Sequence, residues 1–147
     1  MTEATGKSQY SDGSSIFTDA FSSIPVDDVP AAREFYATTL SLAVKSESEG
    51  GLALNLPGGG TLFIYPKANH EAATFTVLNL QVADIDAAVD DLTELGIKFE
   101  SYTGDIETDE KGIHRGADKG HGPNIAWFKD PAGNILSVME GYADRSV

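Results

Sequence analysis

Short apolar runs alternate with polar turns along most of the chain, and twice the pattern passes from strand spacing to helix spacing and back. Ala20 to Val26 reads as a strand. It leads into Asp27-Asp28-Val29-Pro30, where an Asp can cap a helix and Pro suits its first turn. Ala32, Phe35, Tyr36 and Leu40 then fall at helical spacing and form one apolar stripe. Three strand-like runs follow, Leu42 to Val44, Leu52 to Leu56 and Thr61 to Tyr65, the last two joined by Pro57-Gly58-Gly59-Gly60. That glycine run lacks the Gly-Lys-Ser/Thr ending of a phosphate cradle and no helix follows it, so it reads as a hairpin turn.

After a polar link from Lys67 to Ala73 the plan restarts. Phe75 to Val82 reads as a strand, Asp84 as a helix cap, and Ile85, Ala88, Val89, Leu92 and Leu95 as a helical stripe ending at Gly96. Strands are expected at Ile97 to Tyr102, Ile125 to Phe128 and Ile135 to Met139. A shift of 56 residues lays Val26 on Val82, Asp28 on Asp84 and Ala32 on Ala88, and a shift of 73 lays Ala53 on Ala126 and Gly60 on Gly133. The chain therefore reads as an internal duplication, strand, helix and three strands in each half. One helix covers one face of a small curved sheet, so two such halves side by side leave a concave sheet face free for a ligand. The expected architecture is α+β: two tandem βαβββ modules, about 17–66 and 74–140, forming an eight-stranded curved sheet or open barrel with helices outside. They belong to one domain, 16–147, preceded by a disordered arm, 1–15, rich in Ser, Gly, Thr and charge.

Composition narrows the chemistry. At 147 residues and 15.6 kDa the chain suits one core. It has no cysteine, so disulfides and thiolate metal sites are excluded. A formal net charge of −13 repels phosphate backbones and favours neutral or cationic partners, so nucleic acid is not an expected partner. No window has the length of apolar sequence that a membrane span needs, and no apolar leader segment opens the chain; a cytoplasmic location is expected.

Three stretches, FSSIPVDDVPAAREFYATTLSL, VADIDAAVDDLTELGI and IAWFKDPAGNILSVME, together resemble the vicinal oxygen chelate superfamily, which holds glyoxalases, bleomycin-resistance proteins and ring-cleaving dioxygenases. The likeness spans roughly residues 17–140, and the Asp-Pro-x-Gly-Asn hairpin is its most specific part. Ser41 departs from the glycine usual in the turn after the first helix. The resemblance implies paired βαβββ modules, an eight-stranded cup and a homodimer. In the enzymes of that group a divalent metal in the cup is held by His or Gln on the first strand and Glu on the last strand of each module. Counted from the capping Asp residues and the hairpin glycines, those positions are Phe21, Ile64, Val77 and Ser137. Three carry no donor atom, and one neutral hydroxyl does not hold zinc, nickel or iron.

Three histidines remain. His70, in the link, and His114, in the polar segment before Trp127, read as solvent-facing loop residues, and Glu107, Asp109 and Asp118 nearby are equally unanchored. His121, flanked by Gly120 and Gly122, is the candidate for a metal-free acid–base role, as its loop can fold close to the strands. Asp130 reads as a turn residue and Glu140 as a surface residue. The expected ligand-binding lining is Phe21, Ser23, Ile64, Val77, Asn79, Ser137 and Met139, with Trp127, Phe63 and Tyr65 as candidates for stacking on a flat ligand and a place in the core as the open alternative for each of the three. The favoured function is a metal-free protein, without cofactor, that sequesters a small aromatic or cationic compound, antibiotics included. The alternative is a lyase, isomerase or dioxygenase that uses a divalent metal or a loop His or acid.

Overall fold

The computed structural model describes residues 15–141, so the expected arm, residue 15 apart, lies outside the described residues. Eight strands form two four-stranded sheets of identical topology. The first contains β1 (Ser22–Val26), β2 (Ala43–Ser48), β3 (Gly51–Asn55) and β4 (Thr61–Pro66), in the order β1-β4-β3-β2. The second contains β5 (Thr76–Gln81), β6 (Ile113–Arg115), β7 (Asn124–Lys129) and β8 (Ile135–Glu140), in the order β5-β8-β7-β6. In each, the first and last strands run parallel and the other neighbours antiparallel. The duplication and the α+β, two-module architecture are thus seen directly.

Local chemistry explains why both halves begin alike. Asp28 caps α1 (Val29–Arg33) and Asp84 caps α2 (Ile85–Glu94); both have extended backbones, φ −142° and −140°. Each carboxylate accepts from the N–H three residues on, Ala31 at 3.0 Å and Ala87 at 3.1 Å. The first helix then widens into a π-helical stretch, Glu34–Thr39, which the Leu40 N–H closes on the Phe35 carbonyl at 2.9 Å. It ends at Ser41, whose φ of 60° lies in the left-handed region, a position glycine takes without steric cost.

Strand alternation sorts the sheet faces. Ile24, Leu52, Leu54, Leu62 and Ile64 of the first sheet, and Ala126, Phe128, Leu136 and Val138 of the second, are buried in one continuous apolar cluster with Ala32, Tyr36, Ile85 and Val89 of the helical segments. The opposite faces are the concave ones.

Two expectations are corrected here. Asn55 pairs with Thr61 and Lys129 with Ile135, so the repeat offset of the hairpins is 74, not 73. Both turns close in the same way, Leu56 N–H on Gly60 O and Asp130 N–H on Asn134 O. Three consecutive glycines in the first turn gave no phase to the sequence pattern, and one residue of slip exchanges the sheet faces. The strand expected at Ile97 to Tyr102 is reduced to a single bridge, Phe99 to Phe128. The fourth strand of the second sheet is instead β6, three residues inside the segment read as loop.

The halves meet through the turn that begins at Asp130. Its carboxylate, on a residue only 5% exposed, accepts from the Ala132 and Asn134 N–H groups, the Asn134 amide and the Tyr36 hydroxyl, the last at 2.7 Å. Asn134 also donates to the Pro25 carbonyl at 2.9 Å, and Phe35 packs on Phe128 with ring centroids 6.3 Å apart.

Candidate functional site

The concave face of the first sheet is set by Ser23, Ala53, Thr61 and Phe63, whose neighbours along each strand are core residues. The Phe63 ring lies over Gly51, where a Cβ would approach it to 2.5 Å. Phe21, 65% exposed, lines a shallow groove of about 210 Å³ with Lys45, Ser46, Ala53, Thr61 and Phe63. Ile64 is fully buried on the opposite face, beneath the first helix, and Phe63 occupies the place expected for it.

The concave face of the second sheet carries Asn79, Ile125, Trp127, Ser137 and Met139 through the pairs Asn79–Ser137, Trp127–Ser137 and Ile125–Met139. The buried Ser137 hydroxyl donates to Asn79 Oδ1 at 2.6 Å, while Asn79 itself is exposed. A bulge at Val77 turns Thr76 toward Trp127, whose indole N–H donates to the Thr76 hydroxyl at 3.1 Å. Tyr102 meets the Trp127 ring edge-on at 5.4 Å, and burial, then the Glu100 carboxylate, hold its hydroxyl pKa above the ordinary value.

A cleft of about 440 Å³ lies between the modules, lined by Ser22, Ser23, Pro25, His70, Phe75, Thr76, Val77 and Asn134. Ser23 and Val77 of the expected lining meet there. Phe21 with Phe63, and Asn79 with Trp127, Ser137 and Met139, remain on separate sheets.

The histidines are placed differently from a loop reading. His70 is half-buried, with Nε2 3.1 Å from the Ala132 carbonyl and Nδ1 buried without a partner among the described residues. His114 is not a solvent-facing loop residue. It lies in β6 opposite Ile125, is 7% exposed, and has its ring 6.3 Å from that of Trp127. Sequence reasoning missed it because β6 is too short to show alternation; the signal available was its position one residue past the apolar Ile113. His121 is exposed, on the loop that its backbone N–H closes on the Gly116 carbonyl at 2.8 Å. Glu140 is half-buried rather than surface-facing, and its carboxylate caps α2 by accepting from the Ile85 N–H at 2.7 Å.

The residues do not fit the divalent metal of the related enzymes. With the corrected register the four ligand positions are Phe21, Phe63, Val77 and Ser137, and the Ser137 hydroxyl is already engaged by Asn79. Among the described residues no group of three or more His, Asp or Glu side chains is gathered closely enough to hold a metal ion.

A repeated βαβββ unit with helices on one face and an open concave sheet on the other defines a fold class of paired modules. The chain belongs to the Glyoxalase/Bleomycin resistance protein/Dioxygenase superfamily, whose model matches residues 18–138. A glyoxalase family protein from Enterococcus faecalis superposes with a TM-score of 0.62 at 22% identity, over 85% of this chain and 98% of that one. TnmS3, an antibiotic binding protein from Streptomyces sp. CB03234, gives 0.63 at 19%, over 86% and 98%. The fosfomycin resistance protein FosX from Listeria monocytogenes gives 0.64 at 12%, over 88% and 98%. No curated protein matches the chain. Likeness at these identities carries the fold, and chemistry has to come from the site.

Proposed function

We propose that this chain is a metal-free small-molecule binding protein that sequesters a planar aromatic or cationic compound, antibiotics among the candidates. The observation that carries this reading is the lining of the two concave faces: Phe21 and Phe63 on the first and Trp127 and Met139 on the second supply apolar and stacking surface, Ser23 and Asn79 supply hydrogen-bonding groups, and the metal-ligand positions hold no imidazole or carboxylate. The net charge of −13 favours a cationic ligand, and the antibiotic-binding TnmS3 shares the fold. The protein acts in the cytoplasm as a homodimer, in which the aromatic residues exposed ahead of β1 and β5 are covered.

The test is a titration of the sole tryptophan's fluorescence with bleomycin and with proflavine, alongside elemental analysis of the purified protein. Saturable quenching without turnover, with dissociation constants of about micromolar or tighter, is expected. One equivalent of nickel, zinc, iron or manganese per chain overturns the reading in favour of the metal enzyme.

A further inference from the structure

Resting on that reading, we propose that His114 is the polar anchor of the second sheet's concave face. It takes an N–H or O–H donor carried by a flat ring that stacks on Trp127. Three observations converge. First, β6 pairing sets His114 opposite Ile125, which in turn faces Met139, so the imidazole stands on the same face as Trp127 and Ser137. Second, its Nδ1 lies 3.0 Å from the Glu107 carbonyl oxygen. A carbonyl only accepts, so Nδ1 carries the hydrogen, and in that tautomer the ring's acceptor lone pair is at Nε2. Third, among the described residues Nε2 has no hydrogen-bond partner.

Two polar groups on the same face are already engaged. Trp127 Nε1 donates to Thr76, and the Ser137 hydroxyl donates to Asn79. His114 Nε2 is therefore the unspent ring acceptor beside the indole, on a residue 7% exposed. A compound covering this shelf must supply a donor to that nitrogen or leave it unpaired, and an unpaired enclosed acceptor lowers affinity. The rings of Tyr102, Trp127 and His114, spaced 5.4 and 6.3 Å, supply the aromatic surface, so the ligand class is a planar ring bearing a phenol, indole N–H or aryl amine.

The experiment uses a matched pair of probes, 2-naphthol and 2-methoxynaphthalene, which differ in the donor hydrogen and its methyl replacement. Calorimetric titration of the full chain is expected to show 2-naphthol binding about five- to tenfold more tightly, the worth of one hydrogen bond. In His114→Phe the preference disappears while 2-methoxynaphthalene still binds. In the unsubstituted protein the ¹⁵N resonance of the His114 Nε2 shifts with 2-naphthol and not with the ether, a readout that stands if His114→Phe fails to fold. Equal affinities in the unsubstituted protein, a preference that survives in His114→Phe, or an unmoved Nε2 resonance on saturation overturns the anchor and leaves the small-molecule reading intact. Failure of both probes to bind overturns the anchor, and the bleomycin and proflavine titration then decides the broader reading separately.

Discussion

Tyr36 is fully buried, and its hydroxyl donates to a carboxylate from the other half of the chain. Burial first, then the Asp130 charge and the hydrogen bond itself, push its pKa upward, so the phenol stays protonated and serves as a permanent donor. Tyr36→Phe keeps the ring and its edge-on contact with Phe35 at 5.1 Å but removes one of the four donors to a buried anion. The expected loss is about 1–3 kcal/mol of stability, the usual cost of leaving such an acceptor short of a partner. Urea unfolding monitored by circular dichroism measures it; an unchanged midpoint would show that water replaces the hydroxyl.

β6 is three residues long, and ion pairs tie it and the turn before it to α2 in addition to its ladder with β7. Arg115 forms a two-pronged contact with Asp86 of α2, at 2.8 and 2.9 Å, and reaches Asp109 at 3.1 Å. Lys111 adds contacts to Asp86 at 3.2 Å and Asp90 at 2.9 Å. Hydrogen bonds from Arg115, then Lys111, hold the Asp86 carboxyl below its ordinary pKa against a smaller opposing effect of burial. At Asp109 burial is the largest single influence and pushes upward. The Ile113 and Lys111 N–H groups and Arg115 together outweigh it, so the net shift is downward. A pKa depressed by folding means the contribution is complete above the ordinary carboxylate pKa of about 3.9 and is lost as pH falls through the folded value. Amide exchange at 113–115 is therefore expected to accelerate relative to β8 as pH is lowered from about 4 toward 2, after correction for intrinsic rates. Arg115→Ala produces the same loosening at neutral pH. Parallel protection of both strands at acid pH would refute the charge latch.

The same element shows what the sequence could and could not disclose. Helix starts were legible because capping by Asp28 and Asp84 is a matter of three consecutive peptide groups. Sheet register was not, because Gly58, Gly59 and Gly60 carry no side-chain parity and Ile64 is as apolar as its neighbours. Ser137 and Met139 were expected on one face by alternation, while the orientation of Trp127 stayed open until the ladder paired it with Ser137. His114 was invisible because its orientation depends on pairing with β7, a contact between segments that no local pattern encodes.

At the scale of the molecule, large apolar side chains stand open among the described residues. Ile16, Phe17, Phe21 and Phe75 are 64%, 75%, 65% and 67% exposed, just ahead of the two first strands. Large apolar side chains left open in this way favour association with a second copy related by a two-fold axis. Sedimentation velocity at tens of micromolar is expected to show a two-chain species, and Phe21→Asp is expected to shift it to single chains with the fold retained. A single-chain species from the unsubstituted protein would overturn the dimer.

The junction at Asp130 has an evolutionary consequence. The copies that arose by duplication are no longer interchangeable, for the second contributes an anion where the first has Leu56, and the first supplies the phenol that answers it. Shuffling either half with that of a relative would succeed only where the incoming piece brings the complementary group, so the two descendants of one ancestral unit are now inherited as a pair.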